Sequence, residues 1–277
     1  HQRHSQPRGE REPVKRDTKA MQRLCGLMRK AVQQYEMLAP GDRVLVGVSG
    51  GKDSVALTIG LARLRQYLGF PFEVVAVTLD PQFGGKPVDY SALEALFRQY
   101  DVSYEVRRTL IGPIVFDYRN EKNPCSLCAK MRRGALHAAA EELDCNKVAL
   151  GHHLDDAIET FYMNLWREGR IGCFSPVTEL SDRGLTLIRP LLLATEQEVR
   201  CAVKEEGFPI VKSRCPADGV TTREDTKNFV RERCRTDRAF RQKTLHALQE
   251  SGIDGWRPLH PARTSKKEDT AHADARI

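Results

Sequence analysis

A short apolar strand that leads straight into a glycine-rich loop and then into a helix constrains this chain most. Residues 44–48 are Val, Leu, Val, Gly and Val, and residues 53–68 repeat apolar side chains at helical spacing. Between them stand, in order, Ser49, Gly50, Gly51, Lys52, Asp53 and Ser54. Such a unit presents backbone N–H groups and the positive end of a helix to an anion. We therefore predict a phosphate-binding loop in which the glycines allow close approach, the serines donate hydrogen bonds and Lys52 adds charge.

Two other interpretations of the loop carry less weight. It is not a Walker A motif, because neither Ser nor Thr follows Lys52. An ordinary strand-to-helix turn, with Asp53 or Ser54 as the helix N-cap, explains the same residues without a ligand. Six specified residues between a strand and a helix favour the phosphate loop over that turn.

Strands and helices are predicted to alternate along most of the chain. Periodicity predicts strands over residues 43–48, 72–79, 103–109 and 147–150. It predicts helices over residues 21–38, 53–68, 91–100, 128–143, 154–166 and 195–206. Residues 212–248 are predicted to be mostly helical, with irregular connections. This order predicts an α/β fold with a parallel sheet covered by helices on both faces, followed by a helical C-terminal extension.

Composition indicates one domain between two polar ends. We expect residues 21–256 to form it, residues 1–20 to be a disordered arm or a non-native remnant, and residues 257–277 to be a disordered tail. The net charge of +7 is partly carried by these ends, so it gives little evidence of a nucleic-acid partner by itself. No apolar run reaches the roughly 18 residues of a membrane helix and no signal peptide is visible, so we expect a cytoplasmic protein without membrane contact.

Eight cysteines in a chain with no visible signal peptide point to a reducing compartment, and there to metal or cluster binding rather than disulfides. Cys125 and Cys128 form a Cys-x-x-Cys pair at a predicted helix start, and the basic residues that follow favour their thiolates. A pair is incomplete, and Cys215, in an irregular segment next to Pro216, is the candidate third ligand. A packing role is the alternative for each of the three, and we expect it for the other five.

A second polar cluster follows the strand predicted at residues 147–150. It contains Gly151, His152, His153, Asp155 and Asp156, at the strand end where open α/β sheets place their ligands. The two histidines and two carboxylates either bind a divalent metal directly or cap the next helix and position a substrate. The sequence leaves both possibilities open.

The glycine loop resembles the PP-loop of the N-type ATP pyrophosphatases, and the chain as a whole is similar to the tRNA 2-thiocytidine synthetase family. The likeness extends over residues 21–236. It rests on Gly-Asp-Arg before the first strand, the PP-loop, Cys-Ser-Leu-Cys with Arg-Arg-Gly, Gly-His-His-x-Asp-Asp, and Ile-Arg-Pro-Leu at 188–191. In the best-known members the downstream cysteine begins a second Cys-x-x-Cys, whereas here Pro216, Ala217 and Asp218 follow Cys215.

This resemblance implies a Rossmann-like PP-loop fold and a site for ATP and Mg²⁺. ATP is expected to bind the loop, with its adenine near Leu79, and Mg²⁺ to lie near Asp53. By the same resemblance, Gly151, His153 and Asp156 belong to the nucleotide site. Cys125, Cys128 and Cys215 are implied as ligands of a 4Fe–4S cluster that leaves one iron open.

The implied reaction is tRNA thiolation. ATP adenylates the carbon-2 oxygen of a cytidine in the anticodon loop, expected at position 32, and sulfur replaces that oxygen to give 2-thiocytidine. Lys52, Asp53 and the three cysteines are the implied catalytic residues. The expected partners are tRNA and a cysteine desulfurase or other sulfide donor, and the sequence leaves open whether two copies form a homodimer.

Two rival functions are consistent with the same residues. A cluster-free ligase similar to lysidine synthetases would use ATP without iron, and a zinc-stabilised RNA-binding protein would keep the cysteines without turning over ATP.

Residues 227–243 contain seven basic and two acidic side chains. This stripe is either an RNA-binding surface or an ordinary solvated helix face.

Overall fold

The computed structural model describes residues 16–85, 87–118, 124–212, 215 and 224–261. Its strands are β1 (Arg43–Gly47), β2 (Glu73–Asp80), β3 (Ser103–Arg108), β4 (Lys147–Ala149), β5 (Val177–Leu180) and β6 (Leu185–Ile188). They form one sheet in the order β3-β2-β1-β4-β6-β5. Neighbouring strands are parallel except β5 and β6, which are antiparallel.

Eight α-helices in the described residues surround this sheet. They are α1 (Lys19–Gln34), α2 (Lys52–Leu64), α3 (Ser91–Gln99), α4 (Pro124–Glu142), α5 (Leu154–Arg167), α6 (Glu196–Glu206), α7 (Glu224–Thr236) and α8 (Phe240–Ser251). None of them is both long and apolar enough to cross a membrane. The predicted α/β fold with a helical C-terminal part is confirmed.

Both faces of the sheet are buried. Val44 and Val46 of β1 belong to a large core shared with α1, α2, α5 and α6. Leu45 belongs to a smaller core, where α4 packs on the opposite face through Ala139 and Ala140. Alternate residues of one strand therefore enter two cores, which explains why β1 is an unbroken apolar run rather than an alternating one.

The ends of the predicted domain differ from expectation because tertiary contacts extend it. α1 begins inside the segment that we assigned to an arm, and the Thr18 side chain accepts a hydrogen bond from the Met21 N–H at 3.2 Å. At the other end, the Leu259 N–H donates to the Gln34 carbonyl at 2.9 Å. The remaining parts of the predicted arm and tail, residues 1–15 and 262–277, lie outside the described residues.

The hairpin β5–β6 and the ends of α1 and α2 differ from the sequence prediction; α2 ends at Leu64 instead of residue 68. The hairpin β5–β6 was not predicted, because each strand has only four residues and a polar turn separates them. α1 ends at Gln34 instead of residue 38, since Glu36 adopts a positive φ of 48°. Met37 is nevertheless fully buried. Its apolar character reflects tertiary packing rather than continued helix.

Trp256 joins the C-terminal part to the rest of the fold, and this gives the first prediction. The ring is fully buried, its Nε1 donates to the Phe174 carbonyl at 2.8 Å, and its carbonyl accepts from Tyr35 Oη at 2.8 Å. We expect Trp256→Ala to lower the free energy of unfolding by about 3–5 kcal/mol. Leu259→Ala, at a side chain that is mostly exposed, should change it by less than about 0.5 kcal/mol. Chemical denaturation measures both, and equal effects would contradict the role of Trp256.

Candidate functional site

The loop between β1 and α2 holds a conformation that requires glycine at one position. Gly50 has φ +89°, and a Cβ there would lie 2.7 Å from Val211 Cβ. The Val211 N–H donates to the Gly50 carbonyl at 3.0 Å. The segment after α6 therefore packs directly on the loop. A side chain at position 50 would be strained in its backbone and would collide with Val211.

The serines hold the loop in shape. Ser54 Oγ accepts from the Ser49 N–H at 3.2 Å and donates to the Gly51 carbonyl at 3.0 Å. Ser49 Oγ accepts from the Gly51 N–H at 3.2 Å. The N-cap of α2 is Gly51, which has no side chain to cap the first turn. The positive end of α2 is thus presented by a braced loop, as an anion site needs.

Lys52 forms ion pairs with two carboxylates. Its Nζ lies 3.1 Å from Asp53 Oδ2 and 3.1 Å from Glu196 Oε1, at the start of α6. Burial lowers the pKa of Lys52, but the charges and hydrogen bonds of Asp53 and Glu196 outweigh it, so that this pKa is raised. The lysine therefore remains a cation beside the loop at neutral pH.

Asp53 also presents a buried oxygen toward α5. Its Oδ1 accepts no hydrogen bond from any residue that the structure describes, and His153 Nε2 lies 3.9 Å away. Gly151 lies directly against Asp53, since a Cβ at position 151 would lie 3.5 Å from Asp53 Cβ. An unpartnered carboxylate oxygen next to a phosphate-binding loop fits Mg²⁺, which binds through one or two carboxylates and substrate phosphates.

His153 and Asp156 cap α5. The Asp156 N–H donates to His153 Nδ1 at 3.4 Å, and the His153 N–H donates to Asp156 Oδ2 at 2.9 Å. Of the two possibilities left open by the sequence, the structure shows the capping arrangement. This capping box fixes the His153 ring, whose other nitrogen faces Asp53.

Asp155 connects three helices rather than facing the loop. Its side chain is buried at the start of α5. Oδ2 accepts from the Glu196 N–H at 2.7 Å, and Oδ1 pairs with Arg241 Nε of α8 at 2.6 Å. Asp155 therefore positions Glu196, the second carboxylate partner of Lys52.

A cavity of about 550 Å³ lies beside the loop, at the carboxyl ends of the central strands. Its wall includes Ser49 of the loop, the predicted adenine contact Leu79, and two arginines of α4, Arg132 and Arg133. Much of the remaining lining is apolar, including Val48, Leu136 and Leu150. The cavity has the size and character of a ligand pocket and adjoins the phosphate site.

Arg189 adds a buried positive charge to this cavity. Its NH1 donates to the Ser175 carbonyl at 2.6 Å, its Nε donates to His152 Nδ1 at 3.2 Å, and its Cζ lies 5.0 Å from the Phe174 ring centroid. Burial lowers the pKa of Arg189 to about 10. The guanidinium is still charged at neutral pH and favours an anionic ligand.

Another cavity, about 490 Å³ in volume, opens at the amino ends of β2 and β3. Charged side chains on its wall already pair with one another, as in Arg43 with Glu73 and Arg98 with Glu94. It lies at the opposite end of the strands from the loop, so we assign it no part in the site.

The three predicted cluster ligands lie near one another. Cys128 is buried, Cys125 is exposed and Cys215 is half-buried. Burial raises the pKa of the Cys128 thiol; the charges of Cys215 and Cys125 raise it further, whereas Arg132 opposes them. The effect of Cys215 on the pKa of Cys128 indicates that these two thiols are near each other, although 87 positions separate them in sequence. Thiolates are the donors that a 4Fe–4S cluster takes. However, no three His, Cys, Asp or Glu side chains of the described residues are arranged to hold a metal ion.

Sequence reasoning missed two residues of this site. Glu196 was not singled out, although the capping pattern of Thr195 and Glu198 marks the start of α6 beside it. Arg241 was assigned to the basic stripe, whereas the structure turns it inward onto Asp155. The residues next to Arg241 in sequence do not indicate that its side chain pairs with a buried carboxylate.

Comparison with known proteins identifies the family. A family model described as PP-loop domain matches residues 21–235. A tRNA-cytidine(32) 2-sulfurtransferase of Syntrophotalea carbinolica is 35% identical over 251 residues, which is 90% of this chain and 95% of that protein. Its namesake from Geobacter metallireducens is 33% identical over 84% of this chain and 91% of the relative. The chain belongs to the tRNA-cytidine(32) 2-sulfurtransferase family. The resemblance inferred from the motifs is confirmed.

A solved structure supports the fold of this sulfurtransferase family member. U34-tRNA thiolase NcsA from Methanococcus maripaludis, solved with its 4Fe–4S cluster, superposes with a TM-score of 0.69 at 21% identity, covering 84% of this chain and 78% of the other. The chain thus has the PP-loop ATP-binding fold.

The glycine requirement at position 50 gives a second prediction. Gly50→Ala should lower the free energy of unfolding of the ligand-free protein by about 1–3 kcal/mol, because it combines left-handed backbone with a collision at Val211. Gly51→Ala is the matched control, since Gly51 has φ −73° and a Cβ there meets only Ser49 Oγ at 3.4 Å. Its effect should be smaller, about 0.5 kcal/mol, because Ala is a poorer helix N-cap than Gly. The reverse order in thermal denaturation would contradict this loop conformation.

The link between Asp155 and Arg241 gives a third prediction. Arg241→Gln should lower the free energy of unfolding by about 1–3 kcal/mol, because it leaves the buried Asp155 Oδ1 without its charged partner. Arg238→Gln, at an exposed position three residues earlier, should change it by less than about 0.5 kcal/mol. Urea denaturation compares the two variants, and a similar loss in both would show that the ion pair adds nothing.

Proposed function

We propose that this chain thiolates tRNA, replacing the carbon-2 oxygen of cytidine 32 in the anticodon loop with sulfur at the expense of ATP. The observation that carries the proposal is the 35% identity to a tRNA-cytidine(32) 2-sulfurtransferase over 95% of its length. The fold alone would not suffice, because one fold hosts many reactions. The loop, the cavity and the cysteines give the proposal a mechanism.

The first step activates the base. The carbon-2 oxygen of cytosine is a poor leaving group, so it must first be made a good one. In the proposed step this oxygen attacks the α-phosphorus of ATP, and the bond from that phosphorus to the bridging oxygen breaks to release pyrophosphate. The adenylated oxygen then leaves as part of AMP when sulfur attacks carbon 2.

The loop is the proposed site of the triphosphate. The start of α2, Lys52 and the braced serines surround an anion site, which stabilises the charge that develops on the departing pyrophosphate. Asp53 would hold Mg²⁺ through its unpartnered Oδ1, near which the ring of His153 lies at 3.9 Å. The metal would neutralise phosphate charge.

The cavity is the proposed site of the ATP nucleoside. Leu79 and Val48 offer apolar surface for a base, and Ser49 connects the cavity to the triphosphate site. The arginines of α4 and the buried Arg189 bring positive charge to the same cavity. The charge of Arg132 also opposes the burial that raises the pKa of Cys128. Both residues lie on α4, so the cavity and the cysteine pair share one helix.

Cys125, Cys128 and Cys215 are the proposed ligands of a 4Fe–4S cluster. Such a cluster with three protein ligands supplies an iron position at which a sulfide sulfur can bind. α4 holds two of the thiols on successive turns, and the segment after α6 brings the third. A cysteine desulfurase or another sulfide donor would supply the sulfur.

A fourth prediction tests the loop. Asp53→Ala should abolish pyrophosphate release in the presence of tRNA, because it removes the carboxylate proposed to hold Mg²⁺. Lys52→Ala should be less severe if backbone N–H groups provide most of the anion binding. Glu205→Ala, which removes an exposed carboxylate of α6, is the control and should match the wild type. A pyrophosphate assay ranks the three; full activity of Asp53→Ala would reject the assignment.

A fifth prediction tests the cysteines. Cys→Ala changes at 125, 128 or 215 should each strongly reduce the iron of anaerobically reconstituted protein and eliminate 2-thiocytidine from tRNA. The same change at Cys25 or Cys234 should do neither. Metal analysis, electron paramagnetic resonance of the reduced protein and mass spectrometry of tRNA nucleosides from a complemented deletion strain provide the readouts. Zinc instead of iron would favour a structural site, and full thiolation by Cys215→Ala would reject the three-cysteine cluster.

A further inference from the structure

The cavity beside the glycine loop is lined by several basic side chains and, among the residues that the structure describes, by no carboxylate. Arg132, Arg133 and Arg189 belong to its wall, together with His137 and His152. In the cavity at the opposite end of the strands, by contrast, arginines form ion pairs with glutamates of the same wall. A wall with unpaired positive charge favours an anion inside the cavity beside the loop.

Arg189 is the most deeply buried of the three arginines, and no carboxylate compensates its charge. It is 7% exposed and forms no ion pair within the part of the chain that the structure describes. Burial lowers the pKa of Arg189 to about 10, and Cys173 opposes this shift. The Cys173 thiol is uncharged at neutral pH, because burial raises its own pKa to about 12. A buried guanidinium without a counter-charge is costly, so this position favours an anionic ligand.

Three hydrogen bonds hold the Arg189 guanidinium in one orientation. Its Nη1 donates to the Ser175 carbonyl at 2.6 Å and to Thr178 Oγ1 at 3.3 Å, and its Nε donates to His152 Nδ1 at 3.2 Å. The ring of Phe174 stacks on His152, with centroids 4.9 Å apart, and also contacts the guanidinium. Nη2 donates no hydrogen bond to any residue that the structure describes. It is therefore the part of a preorganised arginine that remains for a ligand.

Arg189 lies on the far side of the loop from the proposed adenine site. β2, which carries Leu79, lies on one side of β1, whereas β4 and then β6 lie on the other. Arg189 directly follows β6, and neighbouring strands are about 4.8 Å apart, which places its backbone about 10 Å from β1 and about 14 Å from β2. The bond to Thr178 of β5 directs the guanidinium still further from β1. A nucleotide with its adenine at Leu79 and its phosphates on the loop does not extend to this end of the cavity.

We propose that Arg189 binds a phosphate of the target nucleotide in the tRNA chain. This inference rests on the proposed function, which places a cytidine beside the α-phosphorus of ATP. The adenine and ribose of ATP are neutral, so they do not account for a buried positive charge beyond the loop. A phosphodiester of the second substrate does, and guanidinium N–H groups match phosphate oxygens. Arg189 would fix the backbone of the target nucleotide while its base approaches the loop.

Cytidine 3′,5′-bisphosphate tests the proposal on the wild-type protein, because it carries both phosphates that flank a nucleotide in RNA. The protein is first saturated with Mg²⁺ and α,β-methylene-ATP, so that the loop and the adenine site are occupied. Calorimetry then compares the bisphosphate with cytidine. We expect the bisphosphate to bind at least about 10-fold more tightly, the effect of one charge-assisted hydrogen bond. Equal affinities would overturn the proposal.

Arg189→Met removes the charge at a similar side-chain volume. It should weaken binding of the bisphosphate at least about 10-fold and change cytidine binding by less than about 2-fold. Its plot of log K against log salt for unmodified tRNA should be shallower by about 1, the effect of one lost phosphate contact. Arg183→Met is the matched control, since Arg183 lies on the β5–β6 hairpin but is exposed and pairs with Glu141. All three quantities should match the wild type in this control.

The remaining outcomes separate the proposal from its alternatives. Equal losses of cytidine and bisphosphate binding in Arg189→Met would show that the arginine only supports the cavity wall. Weaker binding of α,β-methylene-ATP, with adenosine binding unchanged, would assign Arg189 to the phosphates of ATP. Either result would overturn the proposal. Wild-type protein that binds the bisphosphate more tightly than cytidine but forms no 2-thiocytidine in tRNA would instead overturn the proposed function, while supporting a phosphate site at Arg189.

Discussion

The arrangement of the site depends on the buried carboxylate of Asp155. One of its oxygens accepts the Glu196 N–H at the start of α6, and the other pairs with Arg241 of α8. Because α5, α6 and α8 meet there, the side chain of Glu196 is directed to Lys52. A buried carboxylate with both oxygens engaged is stable only while each partner is in place. α8 thus helps to hold the surroundings of the glycine loop in place, although it lies far from the loop in sequence.

Sequence predicted the parts of the fold that are encoded locally. The strand, the glycine loop and α2 were recognisable because apolar runs and helical spacing are properties of neighbouring residues. The capping of α5 was one of two open possibilities, since the same His153 and Asp156 can serve a helix end or a metal. The short strands β5 and β6 escaped detection because four residues carry too little pattern.

Contacts between distant residues set the limit of that prediction. Arg241 reaches Asp155 across 86 positions, and Val211 reaches Gly50 across more than 150. Nothing in the local sequence distinguishes Arg241, which turns inward, from Arg235, which is exposed. Spacing alone did not complete the set of three cysteines, and the family resemblance implied Cys215 as the third. Only the folded chain brings Cys215 close enough for its charge to affect the pKa of Cys128.

The packing of Val211 on Gly50 has a consequence for the geometry of the whole site. Cys215 is four residues beyond Val211, and four residues of fully extended chain span at most about 14 Å. Since Val211 is hydrogen-bonded to the loop itself, the polypeptide acts as a short tether between the glycine loop and Cys215. The separation of the loop from this cysteine is therefore bounded by covalent structure, whatever path the intervening residues follow.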